Sequence, residues 1–186
     1  MQNSNFISIN LLRSENINQI FNVINNIELY CEFLPFCKNI FILEQKIYYN
    51  SENHKILKRI VKVHVKHLSI SHEYICIIFT NYAEFTINIF IKENSYIKYL
   101  HTKWQLNKYS NNIKENQNIQ LNYENTELNY ENKNTQLNKV KISFKMKYSL
   151  QYNILNSFAK KIIPSQVEYI IDLFIKRLIF VSKNDM

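Results

Sequence analysis

Two cysteines and a proline lie within the short apolar stretch LYCEFLPFCKN at residues 29–39. Cys31 and Cys37 are separated by five residues, with no second cysteine pair and no histidine close to them. A structural zinc site needs four nitrogen or sulfur ligands at closer spacings, and three cysteines in all favour a reducing compartment over a disulfide scaffold. We therefore expect neither a metal site nor a disulfide here. What remains is a Phe-Leu-Pro-Phe turn at residues 33–36.

The other residues capable of chemistry show no catalytic pattern. The five histidines are scattered, no His-Glu-x-x-His motif occurs, and spacing ties no serine, cysteine or lysine to a base. The chain contains no glycine, so the glycine-rich loops that cradle phosphates in nucleotide-binding proteins cannot form. We predict a protein that is not an enzyme and has no catalytic residue, metal or cofactor.

The composition is that of one folded domain. The chain has 186 residues, of which 46% are hydrophobic and 14% aromatic, enough to bury a sizeable core. It has no apolar run near the ~20 residues that span a bilayer, so any membrane contact is expected to be peripheral. A net charge of +8 favours anionic partners.

Alternating apolar and polar residues predict a series of strands with helices at both ends. Ser14 is the expected N-cap of a short helix after the first strand. The apolar face of that helix comprises Ile17, Ile20, Phe21, Ile24 and Ile27. The strands are expected at residues 6–12, 38–49, 55–67, 73–80, 84–91, 96–106 and 140–150. The short polar breaks between most of them indicate an antiparallel meander.

Helical spacing of apolar residues follows the last strand. It covers residues 153–182 and includes Leu155, Phe158, Ile162, Val167, Ile170, Ile171, Phe174 and Leu178. Pro164 removes one backbone hydrogen bond and is expected to kink or split this helix. An Asn-rich segment at 108–138, which contains LNYEN twice, is a low-complexity insertion in a single domain spanning 1–186.

These elements predict an α+β helix-grip fold. A sheet with one apolar face needs a cover, and the long C-terminal helix is the candidate for it. The fold is therefore a curved antiparallel sheet of about six or seven strands wrapped around that helix, with two short helices after the first strand. The space between a curved sheet and one helix can stay partly open as an apolar cavity.

Three segments resemble the coenzyme Q-binding START-domain family, which is related to polyketide cyclases and to a bacterial ribosome-association toxin. The stretch YCEFLPFC at 30–37 is similar to the family's Y-x-x-F-L-P-[WF]-C signature, and LHTKWQL at 100–106 to its L-x-T-x-W-x-[FL] strand. The alternating strand 140–150 and the helix ending in VEYIIDLFIKRL resemble the family's final strand and helix.

The resemblance implies a ubiquinone-binding protein that supports respiratory electron transport and ubiquinone biosynthesis. It also implies the matrix side of the mitochondrial inner membrane, peripheral contact with that membrane, and respiratory complexes as partners. The implied cavity-lining residues are Phe33, Leu34, Pro35, Phe36, Leu100, Trp104, Phe144, Met146, Ile163, Val167, Ile170, Ile171 and Phe174. The Phe-Leu-Pro-Phe turn is expected beside the cavity mouth.

Several of these residues have two interpretations. Trp104 is either a core tryptophan or a cavity wall whose indole N–H meets a quinone carbonyl. The helix stripe from Ile163 to Phe174 is either core or cavity lining. In segment 55–67, Lys58, Lys62, His64 and Lys66 share one strand face, and Leu57, Val61, Val63 and Val65 share the other.

The lysine face is either solvated or a surface for anionic lipid or RNA. The alternative function is thus a ribosome-associated protein that binds RNA through this basic face, although nucleic acid is not the expected partner.

Overall fold

The computed structural model describes residues 5–67, 70–92, 94, 96–109 and 139–184. In chain order, the elements are β1 (Asn5–Arg13), α1 (Ile17–Asn25), a 3₁₀ turn (Ile27–Leu29), α2 (Tyr30–Phe33), β2 (Cys37–Tyr49), β3 (Lys55–His67), β4 (Ile70–Asn81), β5 (Thr86–Ile91), β6 (Ile97–Tyr109), β7 (Lys139–Leu150) and α3 (Asn153–Asn184). The seven strands form one antiparallel sheet in the order β1-β7-β6-β5-β4-β3-β2. The predicted α+β helix-grip fold is confirmed.

Strict alternation fixes which face of the sheet is buried. In β7, Val140, Ile142, Phe144, Met146 and Tyr148 are all buried, and the residues between them are more exposed. Because successive side chains of a strand point to opposite faces, these five define the concave face that the helices cover. The predicted assignment of the β7 side chains to the two faces of the sheet is confirmed. The pairing of β3 with its neighbours β2 and β4 places four apolar side chains of β3 on the same concave face: Leu57, Val61, Val63 and Val65.

The first helix differs from expectation at its start. Its N-cap is Asn16 rather than Ser14, and the Asn16 side chain accepts a hydrogen bond of 2.8 Å from the backbone N–H of Asn18. Asparagine satisfies an unpaired donor of the first turn as well as serine does, and β1 extends to Arg13, which leaves Ser14 too early. The predicted apolar face of α1 and the turn after it is buried as expected.

The long helix α3 is continuous through Pro164, so the predicted split does not occur. Proline removes one backbone hydrogen bond, and the helical turns before and after Pro164 continue as one helix. Val167, Ile171, Phe174 and Leu178 are buried. Ile162, which was assigned to the apolar face, is 44% exposed. The side chains of the other two predicted positions, Leu155 and Phe158, lie outside the described residues.

Asparagine takes the place of glycine in the turns. Asn53 has a φ of 59° in the β2–β3 turn, where the Asn50 side chain accepts backbone hydrogen bonds from Glu52 and His54. Asparagine tolerates this left-handed conformation better than other residues that have a Cβ atom. Phe85 also has a positive φ, of 50°, and its ring packs edge-on against Phe21 of α1.

A buried arginine links α1 to the sheet. Arg59 lies on the concave side of β3, is 5% exposed, and donates to the backbone oxygen of Asn25 at 3.0 Å. Its Nη2 donates to Asn25 Oδ1 at 2.5 Å and to Thr80 Oγ1 at 3.2 Å. Asn25 is the last residue of α1, so the cation also lies at the negative end of the helix dipole.

The Asn-rich insertion lies almost wholly outside the described residues. Its predicted start is corrected, because Lys108 and Tyr109 belong to β6, where they pair with Val140 and Lys139 of β7. In the part of the chain that the structure describes, we find no helix with both the length and the apolar character required to cross a membrane.

Candidate functional site: an apolar cavity under the β2–β5 end of the sheet

A cavity of about 120 Å³ lies between the concave face of β2–β5 and the segment that contains α2. Its floor is formed by the sheet residues Ile40, Val61, Val63, Val65, Cys76, Ile78 and Ile89. Its roof is formed by Ile27, Tyr30, Leu34, Phe36 and Cys37, from the 3₁₀ turn to the first residue of β2. All of these side chains are apolar, aromatic or thiol groups.

The cavity is open because the concave side chains at this end of the sheet are small. In β3 and β4 the floor consists of valines, one cysteine and one isoleucine. At the other end, Trp104 of β6 faces Phe144 of β7 across the sheet, and their ring centroids are 4.8 Å apart. Phe174 of α3 closes the remaining space, with its ring 5.3 Å from that of Trp104. The large rings fill the β6–β7 end, and the valines leave the β2–β5 end empty.

Five of the thirteen predicted cavity-lining residues line one of two separate spaces. Leu34 and Phe36 line the 120 Å³ cavity. Trp104, Ile171 and Phe174 surround a second space of only about 10 Å³, which is room for about one water molecule. Phe33 packs edge-on against Tyr30 and Phe174.

The remaining predicted residues line neither of these two spaces. Phe144, Met146 and Val167 are buried in the core, Leu100, Ile163 and Ile170 are partly buried and pack against it, and Pro35 is exposed.

Sequence reasoning missed most of the cavity floor. It followed Trp104 and the helix stripe, whereas Val61, Val63 and Val65 were noted only as the apolar face of a strand. The available signal was side-chain size, since three consecutive concave valines in β3 and Cys76 in β4 mark the thinnest part of the apolar layer.

The polar atoms of the cavity wall are one hydroxyl and two thiols. The Tyr30 hydroxyl donates a hydrogen bond to the backbone oxygen of Ile24, and burial raises the pKa of Tyr30. Burial likewise raises the pKa of Cys37 to about 12, with a contribution from the neighbouring Cys31, and that of Cys76 to about 12. All three groups are therefore uncharged at neutral pH, which suits an apolar ligand.

Cys31 and Cys37 approach each other closely, which their sequence separation did not lead us to expect. Their Sγ atoms are 2.9 Å apart, and all three cysteines are free thiols. The described residues contain no group of three or more His, Cys, Asp or Glu side chains that could hold a metal ion.

The cavity reaches the surface at the end of β3. Phe36, Ile40, Val63 and Val65 are only partly buried, and the backbone N–H of Lys66 donates to the Phe36 oxygen at 2.8 Å. Beyond this mouth, the edge strand β2 carries Ile42 and Ile47 on the concave face, with Gln45 between them opposite Arg59. Ile42 and Ile47 lie opposite the concave residues Val61 and Leu57, yet they are 36% and 50% exposed.

The convex face of the sheet carries positive charge at both ends. Lys58, Lys62 and Lys66 share this face as predicted, and Lys62 forms an ion pair of 2.8 Å with Glu73 of β4. At the other end, Lys103, Lys141, Lys145 and Lys147 project from β6 and β7. Burial, Lys103 and Lys147 together lower the pKa of His101, which lies opposite Lys147.

Fold and cavity together define a helix-grip protein with an internal apolar pocket, and known structures share this architecture. No family model matches the chain, and no curated protein matches it. Among solved structures, a START superfamily protein from Mycobacterium smegmatis is 11% identical with a TM-score of 0.62, over 95% of this chain and 98% of that one.

Two further structures resemble the chain to a similar degree. The 18 kDa protein CC1736 from Caulobacter crescentus is 8% identical with a TM-score of 0.65, over 96% of this chain and 99% of that one. The Zhui aromatase/cyclase from Streptomyces sp. R1128 is 10% identical with a TM-score of 0.51, over 98% of this chain and 90% of that one. At these identities the likeness establishes the START-type fold, which serves binding proteins and also enzymes.

Proposed function

We propose that this protein binds ubiquinone, or a related polyisoprenoid quinone or lipid, in the cavity under β2–β5 and acts as a non-catalytic carrier. The single observation that supports this proposal is the 120 Å³ apolar cavity, whose lining residues Phe36 and Val65 are only partly buried. Burial of apolar surface would supply the affinity at about 25 cal/mol per Å² removed from water. The resemblance to the coenzyme Q-binding family is our reason for extending the proposal to quinone delivery and ubiquinone synthesis on the matrix side of the mitochondrial inner membrane.

The size of the cavity matches a single ring. An engineered cavity of about 150 Å³ lined by apolar side chains stays dry and binds benzene. A cavity of about 120 Å³ is therefore suited to a six-membered ring and too small for a ring together with a long tail. We infer that an edge of the substituted quinone ring lies inside and that the rest of the ring and the tail lie towards the mouth.

The concave side of β2 offers a path for the tail. Ile40 lines the cavity, and Ile42 and Ile47 continue on the same side of the strand towards its far end. Gln45 lies between Ile42 and Ile47, so Ile42 is the apolar residue of β2 that directly extends the cavity lining.

The groups in the cavity wall favour binding over catalysis. Among the described residues that line it, none is His, Asp, Glu or Lys, the usual acids and bases. The Tyr30 hydroxyl is engaged with a backbone oxygen, and the thiols of Cys37 and Cys76 are protonated.

Native mass spectrometry tests the proposal. The protein isolated from a ubiquinone-producing host is expected to carry a bound mass equal to that of the host quinone, recoverable in a solvent extract. Protein from a strain unable to make quinone provides the control. An identical bound mass from both strains, or no ligand from either, would contradict quinone binding.

Membrane docking through the convex face of β3 gives a second prediction. Replacing Lys58, Lys62 and Lys66 together by Gln is expected to weaken binding to anionic liposomes at low salt, because each surface lysine contributes about 1 kcal/mol to such binding. Lys62 should contribute less to liposome binding than the other two lysines, because it already forms an ion pair with Glu73. Cosedimentation across a salt series measures the effect, and quinone uptake in detergent should stay unchanged.

The matched control replaces Lys103, Lys145 and Lys147 by Gln. These three lie on the same face at the β6–β7 end, away from the mouth. A larger loss of liposome binding in this control than in the first variant would place the membrane contact at the wrong end of the sheet for ligand transfer.

A ribosome-associated, RNA-binding role is the second candidate, and the β6–β7 end of the convex face favours it. There the Phe90 ring stacks on His101 with centroids 4.3 Å apart and an interplanar angle of 6°. Both rings are partly exposed, and lysines beside accessible aromatic groups are typical of sheets that bind single-stranded nucleic acid. Copurification of ribosomal RNA, lost in the Lys103, Lys145 and Lys147 variant, would favour this candidate over the first.

A further inference from the structure

Cys31 and Cys37 form a dithiol at the edge of the cavity, which Cys37 lines and Cys31 does not. Cys31 lies on α2 and is partly exposed, whereas Cys37 is the first residue of β2 and is 5% exposed. Their Sγ atoms are 2.9 Å apart, only about 0.9 Å more than the 2.05 Å of a disulfide bond. The two sulfurs are therefore already placed for bond formation with a small movement of either side chain.

The surroundings of the pair argue for a redox-active site rather than a metal site. Neither thiol belongs to a larger group of potential ligands among the described residues. Cys37 is protonated because burial and the neighbouring Cys31 raise its pKa to about 12, and either sulfur can be the donor in the contact between them. Cys31 is the more accessible sulfur.

We propose that Cys31 and Cys37 are a site of reversible oxidation, at which a small-molecule disulfide converts the dithiol into an intramolecular disulfide. Nothing in this inference depends on the identity of the cavity ligand. The accessible Cys31 attacks first, and the buried Cys37 completes the reaction.

The exchange balances in two steps. The Cys31 thiolate attacks one sulfur of the small disulfide, forms a mixed disulfide and releases one small thiol. Cys37 then loses its proton and attacks the sulfur of Cys31, which forms the Cys31–Cys37 bond and releases the second small thiol. Two electrons and two protons pass from the protein to the small disulfide. The closeness of the two sulfurs offsets the raised pKa of Cys37, because the second step is intramolecular.

The new bond would fix part of the cavity wall. Leu34 and Phe36 lie between the two cysteines and line the cavity. The backbone N–H of Leu34 donates to the Tyr30 oxygen at 2.8 Å, and that of Cys37 donates to the Leu34 oxygen at 3.0 Å. Closing the loop removes conformational freedom from this segment and should slow the opening of both hydrogen bonds.

Peptide mass spectrometry after treatment with oxidised glutathione tests the proposal on the folded full-length protein. Trypsin leaves both cysteines on one peptide, residues 14–38, and Cys76 on another, residues 67–92. We expect peptide 14–38 to lose about 2 Da and to resist alkylation, since a disulfide replaces two thiols. Dithiothreitol should reverse the change, and peptide 67–92 should stay reduced.

Three variants provide the controls. Cys76→Ser removes the third cysteine of the chain, which lines the cavity floor, and should leave the oxidation of the dithiol unchanged, whereas Cys31→Ser and Cys37→Ala should abolish it. In wild type and Cys76→Ser, oxidation should raise the melting temperature by about 5 °C and slow amide exchange at Leu34 and Cys37. The Cys31→Ser and Cys37→Ala variants, which each keep one thiol of the pair, should not show these shifts.

Three results would overturn the proposal. The first is a glutathione adduct on Cys31 that persists without ring closure. The second is a disulfide that involves Cys76, and the third is oxidation that occurs only in denaturant.

Discussion

Replacing Val63 by Trp is expected to abolish most ligand binding while changing the free energy of unfolding by less than about 1.5 kcal/mol. Val63 lies on the floor of the 120 Å³ cavity and is only partly buried. An indole at this position has empty volume to enter, so it occupies the space of the ligand instead of displacing packed side chains. The amount of quinone extracted per mole of folded protein measures the effect.

The matched control is the same substitution at Ile171. This residue lines the space of about 10 Å³ between α3 and Trp104, which cannot accept an indole. Overpacking there is expected to cost about 1–3 kcal/mol or more of folding free energy, while the folded fraction keeps its ligand. The two variants thus have opposite effects on stability and binding.

This pair of variants also separates the two locations of the ligand site. If the Val63 variant carries quinone at the wild-type ratio per folded molecule, the ligand lies outside the β2–β5 cavity. If the Ile171 variant instead loses ligand without losing stability, the site lies under the long helix, where the sequence first placed it. Chemical denaturation and solvent extraction on the same preparations distinguish these results.

The fold was predictable because alternation is a local property. β7 shows this most clearly, since five apolar residues at every second position from Val140 to Tyr148 require one buried face. The apolar face of α3 around Val167 and Phe174 likewise had to pack against another element, and both residues are buried. The strand bounds followed less closely, since β4 begins at Ile70 instead of residue 73 and β6 ends at Tyr109 instead of residue 106.

The position of the cavity could not be read from the pattern alone. Periodicity says which residues face inward, but not whether the space they face is filled. Filling depends on the summed volume of side chains from several elements, such as Trp104, Phe144 and Phe174, which meet only in the folded protein. The contact between Cys31 and Cys37 has the same origin, because it requires the chain to reverse at the Phe-Leu-Pro-Phe turn.

The buried Arg59 was equally hidden. Its neighbours on the concave face of β3 are Leu57 and Val61, and nothing in the spacing identifies Asn25, 34 positions earlier, as its partner. Only the packing of α1 on the sheet brings the two together. This contact connects the helix that precedes the cavity roof with the strand that forms the cavity floor.

Replacing Asn25 by Ala is expected to lower the free energy of unfolding by about 2–3 kcal/mol, which is the range for a hydrogen bond to a charged group. The variant leaves a buried guanidinium without the Oδ1 acceptor, and Arg59 Nε already has no hydrogen-bond partner among the described residues. Burial lowers the pKa of Arg59, because removing the guanidinium from water disfavours its charged form. Urea denaturation measures the change.

Arg59→Met is expected to be milder, at about 1–2 kcal/mol, because it removes the buried charge together with its hydrogen bonds. Thr80 still donates to Asn25 Oδ1 at 2.8 Å in that variant, so the amide keeps a partner.

The double variant should lose less stability than the sum of the single variants, by about 1 kcal/mol or more, since the second substitution removes groups that the first had left unpaired. Asn22→Ala, at an exposed position of the same helix, is the control and should stay within about 0.5 kcal/mol of wild type. Additive effects of Asn25→Ala and Arg59→Met would mean that the two side chains stabilise the protein independently, and that this contact does not couple α1 to the sheet.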